Sequence, residues 1–370
     1  MSAETIGPYR ILEPLREGGV TSVYKAQGPT GAVVALKVFS PEVLGALSGG
    51  SSGHGQALAS RLAPETTRSP APEAPVSRLP TATPATPEAA ETPEIIARFH
   101  REVRAVVPLS HPNILQVLGT GQDGDHLYLA TELFDGLSLE RLLKERRLTI
   151  PQAIAVLRGL CRGLAYAHAR GCVHGHLSPR HVLVSPDLAA VKIADFGPSE
   201  IDVVSEIDST LRTGAYALGS FHYLAPEQIA RRGAPPDPRS ALPGVPAWPR
   251  AAAPADIFAS GVIFFELLTG RPPGGKFTLP SHANAELPAA TDVLVLKCLA
   301  RDPEQRYSSA NALLADLDRL EEALRVRLLT HLRGASRLLG APGSTRRILL
   351  LAAFALLLAA LALAGYFLAR

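Results

Sequence analysis

Three histidines and a serine crowd one stretch of this chain, Val173-His174-Gly175-His176-Leu177-Ser178-Pro179-Arg180-His181-Val182-Leu183-Val184. Imidazole accepts a proton near neutral pH and binds borderline metals. His174, His176 and His181 could therefore form a metal or proton site, and the Ser178 hydroxyl beside His176 could act as a nucleophile. The residues alone argue weakly for either. Loop histidines are more often neighbours by accident than ligands, and nothing nearby marks an oxyanion site. The other candidates stand singly. Lys37 closes Val34-Ala35-Leu36-Lys37, Glu102 closes Phe99-His100-Arg101-Glu102, and Asp195 opens Asp195-Phe196-Gly197. Taken one at a time, each is an ordinary solvated charge.

Periodicity gives the strands and helices that carry these groups. Tyr9 to Phe39 reads as three short strands, with turns at Glu17-Gly18-Gly19 and Gly28-Pro29-Thr30-Gly31. Residues 41–93 are rich in Pro, Ala, Ser, Thr and Gly; such a segment buries too little apolar surface to offset its ordering entropy and is expected to be a disordered insertion. A helix is expected over Glu94 to Val107, then strands near Ile114 to Leu118 and Leu127 to Glu132. A long helix over Ile150 to Arg170 puts Ile154, Leu157, Cys161, Leu164 and His168 on one face. A second Pro-rich insertion runs over 231–254, and helices follow at Ala255 to Thr269, Ala290 to Ala300 and Ser308 to Leu324. Strands first and helices later give an α+β arrangement with a small and a large lobe.

Composition narrows the class. With 370 residues, 46% of them hydrophobic and 19% charged, the chain has room for one large domain or two small ones. A net charge of +3 gives no reason to expect a nucleic-acid partner. Cys161, Cys172 and Cys298 lack metal-ligand spacing and are expected as reduced core thiols. Ile348 to Ala369 is an uncharged run rich in Leu and Ala. As a helix it would be roughly 33 Å long, enough for a hydrocarbon core of about 30 Å. Arg346 and Arg347 abut it, and Arg325, Arg327, Arg333 and Arg337 precede it with no acid after Glu322. The positive-inside rule then places everything before the span in the cytoplasm, with a basic juxtamembrane segment at 321–347 and only Arg370 on the far side.

The motifs carry more in order than alone. Val34-Ala35-Leu36-Lys37 follows the Gly18-Gly19 turn. Glu102 and then Ser110-His111-Pro112-Asn113-Ile114-Leu115 come next. Asp195-Phe196-Gly197 lies 19 residues beyond His176, followed by Ala225-Pro226-Glu227, by Asp256 and by Arg306 in Arg301-Asp302-Pro303-Glu304-Gln305-Arg306-Tyr307. Over residues 9–320 this series resembles a protein kinase of the bacterial Ser/Thr type, with a bilobal fold.

The resemblance implies ATP and Mg²⁺ as cofactors. It implies that Gly18 and Gly19 cover the phosphates, although Arg16 and Thr21 replace the first and third glycines of the family loop. Lys37 would pair with the α/β-phosphates and with Glu102, and Asp195 would hold Mg²⁺. Val23, Ala35 and Leu183 would sandwich adenine. Glu132 and Leu133 would form the hinge behind the gatekeeper Thr131. His174 and Phe196 would stack in a column between the lobes, and Glu227 would pair with Arg306.

Against that frame the histidine loop is a set of replacements. His176 stands at the catalytic Asp, Ser178 at the Lys, His181 at the Mg²⁺-binding Asn and Gly175 at the Arg that grips activation-segment phosphates. The expectation is a membrane-anchored cytoplasmic pseudokinase that retains ATP binding and has lost or weak phosphotransfer. One alternative is an active Ser/Thr kinase with a divergent loop, favoured towards Ser/Thr by the resemblance of Gly219-Ser220-Phe221-His222-Tyr223-Leu224-Ala225-Pro226-Glu227 to that class's substrate-docking segment. Another is a scaffold that binds no nucleotide.

Overall fold

The computed structural model describes residues 4–16, 21–39, 92–196, 222–232, 253–274 and 277–338. Its small lobe is an antiparallel sheet of six strands: β1 (Thr5–Ile6), β2 (Tyr9–Arg16), β3 (Thr21–Gln27), β4 (Val33–Phe39), β5 (Val117–Asp123) and β6 (His126–Glu132), in the order β1-β2-β3-β4-β6-β5. The alternation along β4 explains its two faces. Val34, Leu36 and Val38 point one way and join Ala26, Tyr128 and Ala130 in a small core of the lobe's own. Ala35, Lys37 and Phe39 point the other way. There Phe39 meets Phe99 of helix α1 (Thr92–Val106) edge-on, with ring centroids 5.3 Å apart. Phe99, Val103 and Val106 are the buried stripe of α1.

The large lobe is built on α3 (Ile150–His168), which follows the short pair β7 (Leu137–Ser138) and α2 (Leu139–Glu145). Thr149 starts α3 with a reciprocal capping box to Gln152, which satisfies two amides that the helix geometry leaves without partners. Gly159 and Gly163 let α3 approach the hairpin of β8 (Val182–Val184) and β9 (Val191–Ile193). A Cβ on Gly163 would come within 2.7 Å of the Asn113 carbonyl and of Ile193 Cδ1. The His111-Pro112-Asn113 segment fastens that hairpin. Asn113 Nδ2 donates to the Val191 carbonyl at 2.8 Å, and the Ile193 amide donates to the Asn113 carbonyl at 2.9 Å.

Behind the hairpin stand α4 (Pro226–Arg232), α5 (Ala253–Thr269), α6 (Pro280–Ala283), α7 (Ala289–Cys298) and α8 (Ala310–Leu338). Helix α5 is buried on nearly all sides, as its almost wholly apolar sequence requires. Ile154, Leu157, Cys161 and Leu164 are buried as their spacing predicts, and burial pushes the Cys161 thiol up to about 12, so it stays a protonated core thiol. Cys298 is likewise buried, while Cys172 is half-buried.

The structure differs from the sequence-based expectation in three respects. The strand expected near Ile114 to Leu118 lies at Val117–Asp123, because Ile114 and Leu115 pair instead with Ile193 of the large lobe. Three short helices, α2, α4 and α6, have no strong periodic signal and were not expected. The last helix continues from Ala310 to Leu338, well past Leu324 and into the basic segment 321–347. The insertions at 41–93 and 231–254 fall almost wholly outside the described residues; only their edges appear, in α1, α4 and α5. The apolar run 348–369 also lies outside them. Among the described residues no helix is long and apolar enough to cross a membrane.

Candidate active site

Two strands and a hairpin bring the charged groups together. In register, Val23 stands opposite Lys37, and Ala35 opposite Thr131, so these four residues share one face of the sheet. Lys37 is buried, and its Nζ lies 3.1 Å from Oδ1 of Asp195, which comes just after β9. The pair thus joins the two lobes across 158 positions of sequence. Asp195 has a φ of +59°, in the left-handed region, a conformation non-glycine residues hold only where the surroundings determine it. Burial would raise its carboxyl pKa, but the Lys37 ammonium outweighs burial and holds it well below the usual carboxylate range. A fixed, ionised and partly exposed carboxylate is a fitting hard ligand for a divalent cation.

The remaining nucleotide positions are placed as follows. Leu183 is half-buried on β8, opposite Lys192 of β9. Glu132 ends β6; its amide donates to the Gln116 carbonyl at 2.9 Å, its carbonyl accepts from Thr131 Oγ1 at 3.2 Å, and Leu133 next to it is exposed. The Glu132 carboxylate accepts from Lys192 Nζ at 2.7 Å and from the Gln116 amide at 2.8 Å. Glu102 is half-buried on α1 beside Val103. Gly18 and Gly19 lie outside the described residues, as does Gly197.

The loop of histidines is folded into the large lobe. Asp256, 1% exposed at the start of α5, accepts from the amides of His174 and Gly175 at 2.9 and 2.8 Å and from His168 Nε2 at 2.8 Å. Burial opposes its ionisation, but these partners, His168 foremost, lower its pKa all the same. His174 stacks edge-on to Phe196, with centroids 5.0 Å apart. His174, His176 and His181 form one cluster, with ring centroids 4.6 to 5.3 Å apart.

Hydrogen bonds assign the protons. His174 Nε2 lies 3.0 Å from the Ala194 carbonyl, and His176 Nδ1 lies 3.3 Å from the His174 carbonyl, so both nitrogens are donors. His174 Nδ1 is buried with no hydrogen-bond partner, so a proton there would be a buried cation with nothing to receive it. Burial first, and the neighbouring His176 second, lower the His174 pKa to about 4. Burial and the two other rings hold His181 well below its ordinary value. Ser178 Oγ and His181 Nδ1 lie 3.2 Å apart. These two replacements therefore engage each other. Among the described residues no group of His, Cys, Asp or Glu has the geometry of a metal site.

The family model of the protein kinase domain matches residues 85–317. The chain belongs to the protein kinase domain family. The serine/threonine-protein kinase PknL of Mycobacterium tuberculosis is 36% identical over 246 residues, covering 62% of this chain and 56% of PknL. PrkC of Bacillus subtilis, also a serine/threonine-protein kinase, is 31% identical over 251 residues, covering 62% of this chain and 35% of PrkC. The chain thus spans about half the length of PknL and about a third of PrkC. The crystal structure of the Mycobacterium tuberculosis PknI kinase domain superposes with a TM-score of 0.57 at 21% identity, covering 86% of this chain and 99% of that one. The kinase family in general uses ATP and Mg²⁺. Its bilobal fold, with a β-rich small lobe and a helical large lobe, is the fold seen here.

Three features of the site were not anticipated from sequence: the Glu132–Lys192 ion pair, the Ser178–His181 contact and the side chain of Gln228, which reaches the Gly175 carbonyl. For the last, position gave a faint signal, since Gln228 follows Glu227 directly and falls in the first turn of α4.

Proposed function

We propose that this protein is a membrane-anchored, kinase-like signalling protein that binds ATP with Mg²⁺ and transfers phosphate feebly or not at all. The observation that carries this reading is the catalytic loop itself. Where the family holds an ionised Asp, a Lys and a metal-binding Asn, this chain holds His176, Ser178 and His181, all buried, the last two against each other. His176 supplies no fixed negative charge to orient a substrate hydroxyl, and loss of such a base costs about 10²- to 10⁴-fold. Ser178 brings no cation to the transferring group. His181, with a nitrogen taken up by Ser178 and a preference for softer metals, does not fit a Mg²⁺ position.

Nucleotide binding is supported by the Lys37–Asp195 pair. Asp195 would hold the cation and Lys37 the phosphates, while Val23, Ala35 and Leu183 offer apolar surface to the base and Glu132 and Leu133 its backbone partners. A bound Mg²⁺ would neutralise phosphate charge there. Membrane anchoring is supported by the run 348–369 and the arginines before it, with the kinase domain on the cytoplasmic side; loss of membrane association on deleting 348–370 tests it. The decisive assay is incubation of the full chain in detergent with radiolabelled ATP and Mg²⁺ or Mn²⁺. Robust autophosphorylation that Lys37→Ala abolishes would establish the competing reading, an active Ser/Thr kinase. That reading draws on the same ion pair and on the serine/threonine-kinase relatives. Absence of any thermal shift at millimolar ATP would leave a scaffold without nucleotide.

A further inference from the structure

Gly175 stands where the family carries an arginine, and both polar groups of its backbone are engaged. Its amide donates to Asp256 Oδ1 at 2.8 Å, and its carbonyl accepts from Gln228 Nε2 at 2.6 Å. Its φ is +83°, a conformation glycine adopts without steric cost. Gln228 uses the other end of its amide as well, since Oε1 accepts from the Ala225 amide at 2.9 Å. The partners leave no ambiguity about which end is which, because only the NH₂ end can satisfy a carbonyl. Next to it, Glu227 takes two hydrogen bonds from Arg306, both at 2.7 Å. The Ala225-Pro226-Glu227 corner is therefore held on one side by Arg306 and tied on the other to the catalytic loop by Gln228.

The tie to the loop involves no formal charge. An arginine at position 175 would be a receiver for phosphate; glycine cannot be one, and its carbonyl is given to a neutral amide instead. We propose that Gln228 is a positioning residue that holds the catalytic loop against the end of the activation segment, in a state set by folding and not by phosphorylation. This goes beyond the proposed function, since it holds whether the loop transfers phosphate or not.

Hydrogen exchange read by mass spectrometry on the full chain tests it. Gln228→Glu is the informative variant. It keeps an acceptor for the Ala225 amide and suits a helix N-terminus, but it sets a carboxylate against the Gly175 carbonyl. Exchange across 173–184 should rise roughly tenfold, about one hydrogen bond's worth, while α3 stays protected. Gln228→Leu should do the same and also loosen the first turn of α4. A second arm leaves Gln228 intact: in a Ser209→Glu/Thr210→Glu/Thr213→Glu variant, exchange across 173–184 should equal that of the wild type. Unchanged loop exchange in Gln228→Glu would overturn the proposal, and so would added loop protection in the triple-glutamate variant. Should both Gln228 variants misfold, the second arm still decides, because a phosphate-dependent loop would gain protection there.

Discussion

The Lys37–Asp195 pair and the histidine cluster meet around the same cleft but are built on opposite physical terms. The first is ionic and partly open, and Asp195 keeps its charge because a cation stands 3.1 Å away. The second is aromatic and closed, and His174 and His181 stay neutral because burial and mutual repulsion disfavour their protonation. Charge survives burial in this chain only at particular positions. It is kept where a partner residue offsets desolvation, at Lys37–Asp195, Glu227–Arg306 and His168–Asp256. It is not kept on His174 and His181, where burial disfavours protonation.

The strongest test of that contrast restores the charges. The triple variant His176→Asp/Ser178→Lys/His181→Asn should raise autophosphorylation by about 10²-fold or more in a radiolabel assay. An inert but folded triple variant would mean that the block lies elsewhere in the cleft. Next in size is the structural pair. Arg306 has no side-chain exposure, so Glu227→Ala should cost about 3 kcal/mol in denaturant unfolding by leaving that guanidinium without its carboxylate. An effect below about 1 kcal/mol would show the pair to be dispensable.

Nucleotide binding sharpens the open side of the comparison. At 100 times its dissociation constant, ATP with Mg²⁺ should stabilise the wild type by about 2.7 kcal/mol, and Lys37→Ala or Asp195→Asn should remove most of this shift. The remaining test concerns the closed side. His174 and His181 have folded pKa values below 6.5, so on acidification the unfolded chain takes up protons first. Their contribution to stability is complete above about pH 6.5 and declines as pH falls below it, for His174 down to about pH 4, by up to about 1.4 kcal/mol per pH unit for each ring. Asp195 and Asp256, with lowered values, lose their contributions only below about pH 3.8. Melting temperature should therefore drop between pH 7 and pH 5, and His174→Phe should flatten that slope.

Much of the architecture was legible in the residues because its signals are local. The period of the α3 stripe, the alternation of β4 and the apolar run of α5 each report burial directly. The short helices were not, since four to seven residues carry too little pattern to stand out, and Ile114 was misplaced because its partner is on another lobe. Of the site, the positions were legible through ordered motifs. The contacts were not: nothing in the spacing of Ser178 and His181 says that they meet each other, or that the Glu132 carboxylate is spent on Lys192.

The ordered motifs mark a bilobal kinase chain and single out His176, Ser178, His181 and Gly175 as the residues expected at the family's reactive positions, since identity at a motif position needs no coordinates. How these residues are engaged is visible in the tertiary structure alone. It showed that Asp195 is kept ionised by a lysine 158 positions away, that two of the three histidine rings are held neutral in a packed cluster, and that Gln228 takes up the carbonyl of Gly175. The physical reason is that protonation state and hydrogen-bond partner depend on distance and burial, and both are set by packing between segments far apart in the chain.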